Sequence, residues 1–120
     1  MRVYFDASVI ISALLSQTGG SRELLKLVNE GIIKGITSKT VVEEVLEEDK
    51  PRKLKKSKEE IERFITESNL LIRKNVTSDE IEPYKDLIDI EDAHLVAGAK
   101  LTRCTHLVTL DKKHILRQDI

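Results

Sequence analysis

Two short runs of strand-forming residues in this chain end in a carboxylate. In RVYFD, Asp6 directly follows Val3, Tyr4 and Phe5, and in HLVTLD the run closes on Asp111. One such Asp could simply belong to a turn, where this residue is common. In a parallel sheet, however, the carboxyl ends of the strands share one edge, and ligands bind in the crevice beyond it. Two strands of this kind would therefore bring two carboxylates together.

Further acids are expected at the same edge, because a helix in a parallel sheet begins near the edge where the preceding strand ended. Asp92 lies near the start of the helix before HLVTLD, and Asp89 is either an additional acid there or the N-cap. Glu43 and Glu44 lie in the second turn of the helix KTVVEEVLEE. Both are about equally far from the centre of its four-residue apolar stripe, so helical geometry leaves the choice between them open.

Four acids on one rim of a partly desolvated cleft repel one another unless a cation offsets their charge. Oxygen ligands without His or Cys select Mg²⁺ or Mn²⁺. Such ions activate water and position a phosphodiester for in-line displacement. The pattern therefore predicts metal-dependent phosphoester hydrolysis.

The composition is that of one soluble globular domain. The chain has 120 residues, of which 40% are hydrophobic and 34% charged, and that length can bury a core without disulfides. No apolar run is long enough for a membrane helix, and the N-terminus begins with a strand and not a signal peptide, so we expect a cytoplasmic protein without membrane contact. A formal net charge of −1 argues against a generally basic nucleic-acid-binding surface, so any contact with nucleic acid must be local.

Strand-like and helix-like segments alternate along the whole chain. This order predicts an α/β domain with a three-layer α/β/α architecture and a central parallel sheet of four or five strands. We expect Ser21 to cap the second helix, Thr37 or Ser38 the third, and Ser57 a later one. The stretch 47–60 is highly charged and holds one apolar side chain, Leu54, so we expect a charged connection or arm that adds nothing to the core.

Four motifs in order give the chain a family resemblance. VYFDASVIISALL, SKTVVEEVLEE, DIEDAHLVAGAK and HLVTLDKK together resemble a PIN domain, the Mg²⁺/Mn²⁺-dependent ribonuclease fold of many prokaryotic toxin–antitoxin toxins. The resemblance extends over almost all of residues 1–120 and implies a single PIN-like domain. It also implies an RNA substrate, an antitoxin partner and a homodimer, none of which is visible in the composition.

The resemblance also implies which acids bind the metal. Its first acid matches Asp6, its second is a Glu before an aliphatic residue and fits Glu44 better than Glu43, its third matches Asp92 in DAHLVAGA, and its fourth matches Asp111. Asp6, Glu44, Asp92 and Asp111 are accordingly the predicted metal ligands and catalytic residues.

Two further features have both a structural and a functional interpretation. Ser8, two residues after Asp6, could cap the first helix or orient a metal-bound water. The basic residues of the charged stretch could be a solvated connection or could contact RNA phosphates. The candidates for that contact are Arg52, Lys53, Lys55 and Lys56.

Two other families with an Asp after a strand fit the sequence less well than a ribonuclease. A haloacid-dehalogenase-like phosphatase would need a second Asp where Ser8 stands, and a response-regulator receiver would need an Asp after the third strand, NLLIRKN. The remaining alternative is a non-catalytic PIN-like module that binds RNA or a protein.

Overall fold

The computed structural model describes residues 1–47, 54–74, 77–84 and 90–110, with the backbone alone for 90–92. Its strands are β1 (Arg2–Phe5), β2 (Lys34–Ser38), β3 (Leu71–Arg73) and β4 (His106–Val108). Its helices are α1 (Ala7–Leu15), α2 (Gly20–Asn29), α3 (Lys39–Val45), α4 (Lys58–Glu67), α5 (Ser78–Ile81) and α6 (Ile90–Leu101), with a 3₁₀ turn at Glu82–Tyr84. Within these ranges, no helix has the length and apolar character needed to cross a membrane.

The strands form one sheet in the order β3-β2-β1-β4, and every neighbouring pair is parallel. This confirms the predicted sheet, and the described residues supply four strands, the lower of the two predicted numbers. The register places Tyr4 beside Ile36 on one side and Leu107 on the other, and Ser38 beside Arg73. β1, the strand that leads to Asp6, is therefore flanked on both sides.

Helices cover both faces of the sheet. On one face, the ring of Tyr4 lies so close to α6 that a Cβ added at Gly98 would come within 2.7 Å of the ring carbon Cζ. On the other, a Cβ added at Gly35 would come within 2.9 Å of Val28 on α2. Successive residues of a strand face opposite sides, so these contacts establish the three-layer α/β/α arrangement.

Most of the predicted helix starts are confirmed. The Ser38 hydroxyl accepts a hydrogen bond from the Val41 N–H at the start of α3. Ser57 and Glu60 form a reciprocal capping box at the start of α4. The prediction for Ser21 was wrong, because α2 begins at Gly20 with Gly19 as an N-cap that offers no side-chain hydrogen bond.

Leu54 corrects the expectation for the charged stretch. Its side chain is only 9% exposed and belongs to the hydrophobic core, together with Val45 and Ile61. A single apolar side chain among charged neighbours is thus enough to tie this part of the chain to the domain. Residues 48–53, which make up most of the predicted connection, lie outside the described residues.

The close contact between α6 and β1 makes Gly98→Ala strongly destabilising. Alanine improves helix propensity by about 1 kcal/mol, but the new methyl group would overlap the Tyr4 ring, which is fully buried and cannot move aside. Overpacking of this kind costs about 1–3 kcal/mol or more. We expect a net loss of about 2 kcal/mol in the free energy of unfolding, measured by urea denaturation.

Gly20→Ala is the matched control, because a Cβ at this helical position meets nothing within 4 Å. It should leave stability unchanged or slightly raised. Equal unfolding midpoints for the two variants would show that α6 does not pack against Tyr4 in this way.

Candidate functional site

Asp6 is a buried carboxylate at the carboxyl end of β1. Its side chain is only 8% exposed, and its backbone N–H continues the sheet by donating to the Val108 carbonyl at 3.1 Å. It is also the N-cap of α1, where its Oδ1 accepts from the Ala7 N–H at 2.7 Å. Burial of an ionised carboxylate is costly unless hydrogen bonds stabilise the charge. Asp6 must therefore keep the position and orientation in which these hydrogen bonds form.

Two hydroxyl groups complete the hydrogen bonding of Asp6. Thr109 donates to Oδ2 at 2.6 Å, and Ser8 donates to the same oxygen at 3.0 Å. The Ser8 hydroxyl also accepts from the Leu110 N–H at 3.0 Å. Ser8 therefore does not cap α1, and it links the start of this helix to the segment that follows β4.

Thr109 was missed by sequence reasoning. A threonine after a strand is an ordinary strand former, and nothing in HLVTLD marks it as part of a site. The available signal was register: Phe5 lies beside Val108, so the next residue on each strand, Asp6 and Thr109, must also be neighbours.

The same register extends across the sheet. Tyr4 beside Ile36 sets Asp6 beside Ser38, and Ser38 lies beside Arg73. Arg73, Ser38, Asp6 and Thr109 therefore form one row at the carboxyl edge, and because paired residues of parallel strands face the same side, their side chains share the face that carries Tyr4. We call this set the edge row.

Glu43 and Glu44 differ in their surroundings on α3. Val41 and Val45 are fully buried, whereas Val42 is only half-buried. With about 100° per residue, the centre of the buried face lies between Val41 and Val45, so Glu44 is about 80° from that centre and Glu43 about 180°. In agreement, Glu44 is half-buried and Glu43 is exposed.

Asp92 is placed by the backbone of α6. This helix runs antiparallel to β1, since Gly98 lies at the level of Tyr4 and the Thr102 carbonyl accepts hydrogen bonds from Arg2. Asp92 is six residues before Gly98, about 9 Å along the helix, and Asp6 is about 7 Å beyond Tyr4 along the strand. The backbone therefore puts both acids at a similar height, at the carboxyl edge.

The remaining predicted site residues lie outside the described part of the chain. Asp89 and Asp111 are among them, and the side chain of Asp92 is not described. Among the side chains that the structure does describe, no three acidic, imidazole or thiol groups come together as a metal-binding cluster.

The donor groups that are described at the edge fit a hard cation. Asp6 offers carboxylate oxygens, and the neighbouring Ser8 and Thr109 offer hydroxyl oxygens. Cys104 and His106, which would suit softer metals, lie at or before the start of β4, at the opposite edge. Oxygen donors of this kind favour Mg²⁺ or Mn²⁺ over zinc or copper.

The basic stretch is only partly described, and Lys56 lies away from Asp6. Lys56 lines a pocket with Leu14 and Gln17, at the C-terminal end of α1, whereas Asp6 lies at the N-terminal end. The exposed Lys55 adopts a positive φ of 55°. Arg52 and Lys53 lie outside the described residues.

Tyr4 is fully buried and lies on β1 two residues before Asp6, on the same face of the sheet as the edge row. Burial raises the pKa of its hydroxyl above the ordinary 10.0, and the nearby Ser38 hydroxyl lowers it in part. The Tyr4 hydroxyl has no hydrogen bond of good geometry among the described residues. Tyr4 is therefore a neutral phenol at physiological pH.

Comparisons with known proteins agree with this architecture. The chain is structurally similar to the crystal structure of VapC20 from Mycobacterium tuberculosis, a sarcin-ricin loop cleaving toxin, with a TM-score of 0.59 and 14% sequence identity. The similarity covers 92% of this chain and 90% of VapC20. Among individually curated proteins, no sequence match was found.

The family is established by the sequence itself. A sequence model of the PIN domain matches residues 2–113, which includes all four predicted acids and the edge row. This protein belongs to the PIN domain family.

Proposed function

We propose that this protein is a Mg²⁺- or Mn²⁺-dependent endoribonuclease. The observation that carries the proposal is the Asp6 carboxylate, which is buried at the carboxyl end of a central strand and held by three hydrogen-bond donors. A carboxylate fixed at this edge of a parallel sheet is suited to bind a ligand. Its burial costs desolvation free energy, which an Asp in an exposed turn would not incur.

Asp6, Glu44, Asp92 and Asp111 would hold the metal. A bound Mg²⁺ or Mn²⁺ would supply activation of a water molecule and stabilisation of the charge that develops on the RNA phosphodiester. The Ala7 N–H, Ser8 and Thr109 hold both carboxylate oxygens of Asp6 in fixed positions, which orients the group that would bind the cation. The half-buried Glu44 supports the same assignment on α3.

The biological setting that we propose is a toxin–antitoxin pair. It is supported by membership of the PIN domain family and by the structural similarity to the toxin VapC20. An antitoxin protein and a homodimer belong to the same proposal, as does a cytoplasmic location.

Cleavage of labelled single-stranded RNA tests the proposed activity. The purified protein should cleave a mixed-sequence RNA with Mn²⁺ or Mg²⁺, lose activity in excess EDTA, and regain it when Mn²⁺ is added back. A DNA oligonucleotide of the same sequence is the substrate control and should be cleaved much more slowly.

Two outcomes would contradict the proposal. Undiminished cleavage in EDTA would exclude a metal-dependent reaction. Binding of RNA without cleavage under any metal condition would favour the non-catalytic module.

A further inference from the structure

We propose that Arg73 binds a phosphate group of the RNA next to the one that is cleaved. The inference rests on the proposed ribonuclease function and adds a substrate-positioning residue to it. Arg73 ends β3, a strand that carries no candidate acid.

The sheet register places Arg73 in the edge row with Asp6. Ser38 separates the two residues, so their Cα atoms are two strand spacings apart, about 10 Å. Both side chains belong to the face that carries Tyr4, and consistently the charges of both influence the Tyr4 hydroxyl. The Arg73 guanidinium is held by the Lys74 carbonyl and Glu80, with Ser38 between it and Asp6, an arrangement that suits a neighbouring phosphate of the same strand.

Two contacts hold the guanidinium of Arg73 in place, and they use only part of its hydrogen-bonding capacity. Its Nε donates to the Lys74 carbonyl at 2.9 Å, and one Nη lies 3.5 Å from Glu80 Oε1. Glu80 is itself fixed, because it accepts from the Thr77 N–H in the capping box of α5. The side chain of Arg73 is 23% exposed. An Arg has five N–H donors in a rigid fork, so several remain for a phosphate.

Two more cations lie at the same end of the sheet. Lys39 is the first residue of α3, directly after β2, and Lys74 directly follows β3. Both are exposed. Three cations therefore lie on the β2 and β3 side of Asp6, together with Glu44 on α3 and with Glu80, which pairs with Arg73. A polyanion bound along this edge would meet cations on one side of the predicted metal position.

Arg73 is better placed for this role than Lys56 of the basic stretch. Lys56 lies near the far end of α1, whereas Arg73 shares a row of the sheet with Asp6. A contact close to the reacting phosphate would fix the register of the substrate, which a remote contact cannot do.

The test compares the binding of a fluorescein-labelled, mixed-sequence single-stranded RNA by anisotropy over a range of salt concentrations, without divalent metal. Arg73→Gln should weaken binding on the order of tenfold at low salt and reduce the slope of log K against log salt by about 0.7, as expected for one lost phosphate contact. Lys34→Gln is the matched control, because it removes the same charge from the start of β2, at the opposite edge. It should leave the slope unchanged.

Two additional variants separate phosphate binding from a purely structural ion pair. Glu80→Gln retains a side chain that can cap α5 but removes the negative partner of Arg73, and it should bind RNA at least as tightly as wild type. Arg73→Lys should retain the salt slope of the wild type, because the charge is kept. Cleavage assays with Mn²⁺ should show a raised KM for Arg73→Gln with a nearly unchanged kcat.

The results distinguish this inference from the proposed function. Wild-type affinity and salt slope in Arg73→Gln, in a protein that cleaves RNA, would overturn the role of Arg73 alone. An Arg73-dependent slope in a protein that cleaves no RNA would support the phosphate contact and overturn the ribonuclease. Equal losses of binding in Arg73→Gln and Glu80→Gln would show that the pair acts only through folding.

Discussion

Asp6→Asn is expected to lower kcat/KM for RNA cleavage by about 10³-fold, or about 4 kcal/mol of transition-state stabilisation. The substitution removes the charge of a predicted ligand that three hydrogen bonds hold in place. A neutral amide is a poor ligand for a hard cation. The expected loss therefore has a chemical cause and needs no change in the fold.

The fold should survive this substitution. Asn is as good an N-cap as Asp, and the hydroxyls of Ser8 and Thr109 can rotate to accept from the new amide. The free energy of unfolding should change by less than about 1 kcal/mol. Asp79→Asn removes an equivalent charge from an exposed position in α5 and should retain wild-type activity. Similar activity losses in the two variants would mean that net charge matters and Asp6 does not.

Glu44→Gln should lower activity by about 10²-fold, and Glu43→Gln should leave it within about twofold of wild type. The two residues are adjacent in sequence and identical in chemistry, so each is the best available control for the other. The physical reason for the difference is the direction of the buried face of α3, which brings Glu44 into the domain and leaves Glu43 in solvent.

Measurement of kcat and KM for both variants, with thermal unfolding as a check on folding, decides between them. The reverse result, an inactive Glu43→Gln and an active Glu44→Gln, would show that the second acid was assigned to the wrong residue. Full activity in both would remove α3 from the site.

The position of Asp6 was predictable because it depends on local information. A run of strand formers followed by Asp fixes both the strand and the edge at which the carboxylate lies. The parallel sheet followed from the alternation of strands and helices. Ser57 was correctly identified as a helix cap from its type, and Ser38 was one of two candidates, with Thr37, for the cap of α3.

The choice between Glu43 and Glu44 required the structure. The sequence shows four apolar residues on α3 and gives no reason to weight them differently. In the folded protein Val41 and Val45 are fully buried, while Val42 and Leu46 only pack against the core from its margin. This inequality depends on neighbouring elements, which a helical projection does not contain.

Thr109, Arg73 and Leu54 show a second limit of sequence reasoning. Thr109 and Arg73 have side chains that are ordinary for the end of a strand, and they become part of a site only through register. Leu54 was judged by its charged neighbours, although burial is decided by the single side chain that reaches the core. In each case the deciding information lies in residues distant in sequence.

Manganese binding by the purified protein tests the central claim most directly, because it does not depend on knowing the RNA target. In calorimetric titration of the metal-free protein, we predict saturable Mn²⁺ binding that EDTA reverses and that Mg²⁺ competes away. Asp6→Asn should weaken this binding by at least about tenfold, with the Asp79→Asn control unchanged. Absence of saturable binding, or equal binding by wild type and Asp6→Asn, would contradict a metal site built around Asp6.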